Sequence, residues 1–187
     1  MEAQQFQSIA EDLTDNYKRL PQVSAVWRGD TKLGPLEPLL KLQAANFDTD
    51  LDKVKGQRVY HELGFNLPIT RDYGFLNTSL IHRSIQYRLK TPDTGETRSE
   101  SVSSWLGRIE GGLEFERDTE LFGLSFTQTL EPRVQYLYAG YDDHADIPDF
   151  DSAELTFSYR QLFRNTRFSG YDRLADGNQL SLGVTSR

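Results

Sequence analysis

The chain has 187 residues, of which 37% are hydrophobic, with a mean hydropathy of -0.60 and a formal net charge of -7. No run approaches the ~18 consecutive apolar residues of a membrane helix. The acidic balance argues against a nucleic-acid partner, and the absence of cysteine removes disulfides and thiolate metal sites. Low hydropathy is compatible with a membrane barrel, whose strands need apolar residues only at alternate positions.

The length fits one domain or part of a larger one. The first residues, MEAQQFQSIAEDL, lack a basic region followed by an apolar core and do not form a signal peptide. An outer-membrane protein needs one, so the expectation is a fragment.

Side chains in a strand alternate between two faces, and this period marks the elements in chain order. In 21–28, Val23, Ala25 and Trp27 oppose Gln22, Ser24 and Arg28. Residues 38–47 form a weaker strand. In 57–69, Val59, Leu63, Phe65, Leu67 and Ile69 oppose Arg58, Tyr60, Glu62 and Asn66, with His61 interrupting the apolar set. In 73–90, Ile81, Ile85, Tyr87 and Leu89 oppose His82, Ser84, Gln86 and Arg88, with Arg83 on the apolar side. In 104–117, Trp105, Ile109, Leu113 and Phe115 oppose Ser104, Arg108, Glu110, Glu114 and Glu116.

The segment 121–141 alternates over its whole length. Phe122, Leu124, Phe126, Leu130, Pro132, Val134, Tyr136 and Tyr138 oppose Ser125, Thr127, Thr129, Glu131, Arg133 and Gln135. It is far longer than the ~5–6 residues usual in soluble proteins and exceeds the roughly 9–11 needed to cross a bilayer. Pro132 predicts a local bulge or kink. Residues 153–160 alternate too, and 178–186 set Leu180, Leu182 and Val184 against Gln179, Ser181 and Thr185. No 3.6-residue stripe competes over a long window. The predicted fold is all-β: about seven or eight long antiparallel strands of a partial transmembrane barrel wall, filling 1–187.

The connectors carry topology, because outer-membrane barrels have short periplasmic turns and longer outer loops. Pro68–Asp72 and Arg117–Glu120 are short and predict periplasmic turns, and Gly29–Pro38 falls on the same side. Asp48–Gly56 and Thr91–Ser101 are polar and charged, and predict outer loops. If 153–160 crossed the membrane, the charged connector Arg164–Gly177 would fall in the periplasm. The length rule favours one large external loop, 142–177, with 121–141 pairing against 178–186.

Arg108, Glu110, Glu114, Glu131, Arg133 and Gln135 fall on the wet face and are the lumen-facing candidates. For Glu131 and Arg133 two readings stand: a cross-strand charge ladder, or contact with material inside the lumen. Asp142, Asp143, Asp149 and Asp151 crowd the start of the loop, without the glycine turn and distal glutamate of an EF-hand. Arg164, Arg167 and Arg173 follow and offer pairing with those aspartates or with lipid phosphates. His61, His82 and His144 show no ligand spacing, and no nucleophile or phosphate-binding motif is present. No enzyme, metal or cofactor is expected.

Several blocks resemble the LptD family of outer-membrane lipopolysaccharide-assembly proteins: YKRLPQVS at 17–24, GLEFER at 112–117, QTLEPRVQYLYAGY at 128–141, IPDFDS at 147–152 and LFRNTRFSGYDRLADGNQLSLGVTSR at 162–187. The resemblance implies a very large barrel in the Gram-negative outer membrane that encloses an LptE-type lipoprotein plug. It implies receipt of lipopolysaccharide from periplasmic bridge proteins through an N-terminal domain missing here. Release passes through a lateral gate between the first and last strands, and the matching blocks come from the barrel's middle. The expected function is a share in the translocon that inserts lipopolysaccharide into the outer leaflet. The alternative is a soluble periplasmic or extracellular β-barrel binding a small amphipathic ligand, with its apolar faces turned inward.

Overall fold

A computed structural model describes residues 2–4, 17–29 and 35–187, and its long elements are all strands. In chain order they are β1 (Glu2–Gln4), β2 (Lys18–Arg28), β3 (Glu37–Asp48), β4 (Lys55–Arg71), β5 (Gly74–Lys90), β6 (Thr97–Leu113), β7 (Phe115–Leu121), β8 (Leu124–Ala139) and β9 (Gly177–Ser186). Consecutive strands pair antiparallel in one open sheet, β1-β2-β3-β4-β5-β6-β8, with β7 and β9 also on β8. Among the described residues no helix is long and apolar enough to cross a membrane.

β6 and β7 act as one strand. Gly112 opposes Arg133 and Phe115 opposes Leu130, so the register runs unbroken past Glu114, whose N–H turns aside to the Tyr73 carbonyl at 2.9 Å. The sheet is therefore a wall of seven long strands edged by β1, an incomplete barrel. Pro132 makes no bulge, contrary to expectation: Arg133↔Gly183 and Glu131↔Thr185 flank it in even register. Thr129 exchanges both backbone hydrogen bonds with Arg187, the residue just past the end of β9. By the two-residue alternation the nitrogen of Pro132 faces the gap between β6 and β7, where no ladder bond is lost.

The turns differ from the sequence reading. Arg117–Glu120 is strand, paired with Ser125–Gln128, and the chain reverses at Phe122 and Gly123 (φ 52° and 73°), a two-residue turn with both residues left-handed. Pro68 pairs with Asn77 inside β4, which reverses only at Asp72 and Tyr73. The outer connectors shrink to 49–54 and 91–96. Residues 30–34 of the expected Gly29–Pro38 connector lie outside the described residues.

One face of the sheet is bare and apolar. Val23, Trp27, Leu42, Val59, Leu63, Phe65, Leu80, Trp105, Ile109, Val134, Tyr138, Leu180 and Leu182 are all exposed on it. The other face is polar on the turn side and apolar on the loop side. There Phe47, Tyr60, Ile85, Tyr87, Leu89 and Val102 are buried with Ile147, Phe150 and Leu174 of the 140–176 connector. The polarity of the wall thus inverts along β5 and β6. Turnward of His82 and Trp105 the strands are apolar outside; loopward they carry Ser84, Gln86, Arg88, Ser99, Ser101 and Ser103 outside and apolar residues inside. Ile81, Ile85, Tyr87 and Leu89 therefore face inward, and Arg83 beside them is in its regular place.

Residues 153–160 form no wall strand. A single bridge, Glu154↔Phe168, and one 3-10 turn, Tyr159–Phe163, organise the connector between β8 and β9. Rather than standing clear of the wall, 140–176 lies against its inner face.

Candidate functional site

The inner face and the connector folded onto it form the candidate site. Arg58 of β4 is fully buried there. Its Nη1 donates to Asp151 at 2.7 Å and to Asp172 at 2.5 Å; its Nη2 donates to Asp151 at 2.8 Å and to Gln43 at 2.9 Å. Asp172 also accepts from the Tyr87 hydroxyl at 2.6 Å and from the backbone N–H groups of Phe150 and Asp151 at 2.8 and 2.7 Å. Arg19 reaches Asp151 at 3.2 Å. A buried charge is tolerable only when paired and hydrogen-bonded, and this cluster nearly closes its own charge balance.

Aromatic packing seals the cluster. Phe150 stacks on Phe47 with centroids 4.4 Å apart, and Arg58 lies 4.8 Å from the Phe47 ring. Gly170, at φ +65°, brings the returning chain so close that a Cβ would sit 2.2 Å from the Asp151 carbonyl oxygen. Burial alone would raise the Asp151 carboxyl, but the hydrogen bonds and charge of Arg58 outweigh it and hold it below the usual range. Burial, reinforced by the neighbouring Asp151, pushes Asp172 up.

The lumen-facing candidates divide into three groups. Glu110 is buried and ion-paired to Arg133 and, at 3.5 Å, to Arg108. Arg133 also lies 4.2 Å from the Phe163 ring centroid, so it serves the cross-strand ladder and the connector at once. Gln135 is buried between Glu110 and Ser181 on the adjacent strands. Glu131 meets Arg187 at 3.7 Å, while Glu114 is exposed near the turns.

The loop candidates do not form one group. Asp142 accepts from the Ser103 N–H at 2.7 Å, and Asp143 caps Ala145. Asp149 accepts from the Ser152 N–H and faces Arg173 at 4.0 Å; Arg167 pairs with Asp176. Arg164 ends the 3-10 turn through its N–H to Gln161. Only Arg173–Asp149 matches the expected pairing of loop arginines with 142–151. Among the described residues no acidic or histidine cluster is placed to hold a metal ion. Arg58, Asp172, Gln43 and Tyr87 escaped the sequence reading. The available signal was an arginine flanked by apolar positions in β4, which reads equally well as solvated lumen lining.

The family model for LPS transport system D (LptD) matches residues 1–187. The chain is 35% identical to the LPS-assembly protein LptD of Pseudomonas aeruginosa (strain LESB58) over all of its length, and 38% identical to that of Alcanivorax borkumensis over 98%. It is 36% identical to that of Shigella flexneri over 98%. It spans about a quarter of each of these relatives (24%, 25% and 24%). With a family match across the whole chain and an antiparallel wall of the kind that match implies, the chain belongs to the LptD family.

Proposed function

We propose that this chain is wall and luminal lining of the outer-membrane translocon that inserts lipopolysaccharide into the outer leaflet. The observation that carries the reading is the bare apolar face shared by all seven long strands, opposite a polar and loop-covered face. The apolar face meets lipid and the other lines the lumen. The two-residue turns at Asp72–Tyr73 and Phe122–Gly123 face the periplasm, and 49–54, 91–96 and 140–176 face outward.

A height check supports this placement. Along β6 and β7 the outward series runs from Trp105 to Arg117, which bonds Gln128 at 2.6 Å. Twelve residues at ~3.3 Å, tilted about 40°, give about 30 Å, close to the ~25 Å apolar band of such barrels. Trp105 and Tyr138 then sit at the outer interface, and Arg117 with Gln128 at the inner one.

The role is non-enzymatic. A polar lumen accommodates the sugar headgroup, and Arg108, Glu110, Glu131, Arg133 and Gln135 supply hydrogen-bonding wall to an LptE-type plug or to the loops around it. Handover from periplasmic bridge proteins belongs to the longer protein. The test is depletion of the full-length protein in a Gram-negative cell, reading newly arrived lipopolysaccharide by surface labelling of its sugars. Arrival should fall with the barrel, and unchanged arrival contradicts the proposal. A protein that is monomeric in water without detergent restores the soluble-barrel alternative.

A further inference from the structure

The outward face loopward of Trp105 is not plain solvated surface. Its cross-strand neighbours form rows. Asn46 opposes Gln57, Gln57 opposes Arg88, and Arg88 opposes Ser99. One step further, Lys55 opposes Lys90, which opposes Thr97. Asn46, Lys55, Gln57, Arg88, Lys90 and Thr97 line a shallow pocket of about 300 Å³, and Ser99 borders Arg88 beside it. Lys55 pairs with Asp48 at 2.8 Å, whereas Arg88 and Lys90 make no ion pair among the described residues. In a chain of net charge -7, the outward positions 84–90 of β5 and 97–103 of β6 hold no carboxylate. Asp93 and Glu96 lie beyond them, in the connector.

Height decides what this surface meets. Arg88 lies six residues above His82, about 15 Å over the apolar band at the same rise and tilt. That is the sugar and phosphate layer of the outer leaflet, where anionic groups are dense. Arginine and lysine there gain from phosphate oxygens, and the amide and hydroxyl side chains beside them suit sugar hydroxyls.

We infer that the Asn46–Gln57–Arg88–Ser99 row, with Lys90, is a docking surface for the phosphorylated sugar headgroup of a resident outer-leaflet lipid. This lipid is a wall contact that fixes the barrel's depth, distinct from the lipid carried in the lumen. The inference rests on the orientation proposed above.

The test uses the full-length protein in nanodiscs of zwitterionic lipid, titrated with a diphosphorylated glucosamine-based lipid, with retained copies counted by native mass spectrometry. The Arg88→Glu/Lys90→Glu variant should lose retention by about tenfold, and the uncharged Arg88→Gln/Lys90→Gln variant by less. Arg117→Glu, outward at the opposite end, should retain as wild type, and inorganic pyrophosphate at millimolar concentration should not compete. Equal retention in wild type and both Arg88/Lys90 variants overturns the site. Full competition by pyrophosphate overturns the lipid source. Loss only in Arg117→Glu places the headgroups at the other end, which overturns the orientation itself.

Discussion

Asp172 of the β8–β9 connector sits 2.5 Å from Arg58 of β4, and both side chains are fully buried. These residues are 114 positions apart in sequence, so this contact pins the connector to a wall strand it does not otherwise follow. Truncating one partner of such a cluster leaves the other charged and dry, at a cost of about 3–5 kcal/mol. Arg58→Ala in the full-length barrel should therefore free 140–176, seen as protease cleavage within that segment while the barrel stays folded. A protected loop in that variant removes the cluster's role. Arg58→Met together with Asp151→Asn and Asp172→Asn should recover part of the loss, because neither aspartate is then left charged without the buried guanidinium.

The register makes a second prediction. Ile109 faces outward mid-band, where an arginine costs about 2–4 kcal/mol, whereas Thr129 faces inward. Ile109→Arg should impair assembly of the full-length protein and Thr129→Arg should not, judged by yield of heat-modifiable barrel. Leu124 and Phe126 also face outward but lie beyond Arg117 and Gln128, so arginine there should cost only about 0–1 kcal/mol. Equal penalties at 109 and 129 would refute the register.

Most of this register was legible in the sequence, because lipid on one side and a polar lumen on the other impose strict alternation. What misled was the upper third of β5 and β6. Residues 97–101 carry only Thr and Ser outward, above the apolar band, so they read as loop, and the inward Ile85, Tyr87 and Leu89 read as an apolar face around a misplaced Arg83. Their true cover, the connector carrying Ile147, Phe150 and Leu174, is remote in sequence. The hairpin tip was missed because Phe122 occupies a left-handed position that usually takes Asn, Asp or Gly.

His144 gives a pH prediction. Its Nε2 accepts the Leu174 N–H at 3.1 Å, which requires a neutral ring. Burial, with Arg173 nearby, lowers its pKa below the ordinary value against the opposing pull of Asp142 and Asp143. A lowered folded pKa means that the stabilisation is present above about pH 6.5 and is lost as pH falls through the folded value. Protease cleavage in 140–176 should rise between pH 7.5 and pH 5, and His144→Gln should flatten that step. An identical pH profile in the variant assigns the effect to another group.

Topology is checked by single cysteines in the full-length protein. Asp93, in the exposed 91–96 connector, should label on intact cells, and Glu120, beside the Phe122 turn, only after the outer membrane is permeabilised. The reverse pattern inverts the barrel.

One face of this wall meets lipid, and its polarity inverts at Trp105. A nitroxide scan along residues 99–113 of the reconstituted full-length protein tests it most directly. Labels at 107, 109, 111 and 113 should be oxygen-accessible, and labels at 99, 101 and 103 water-accessible. Labels at 102, 104, 106 and 110 should be shielded from both probes. Oxygen accessibility continuing through 99–103, or the same response at odd and even positions, would contradict it.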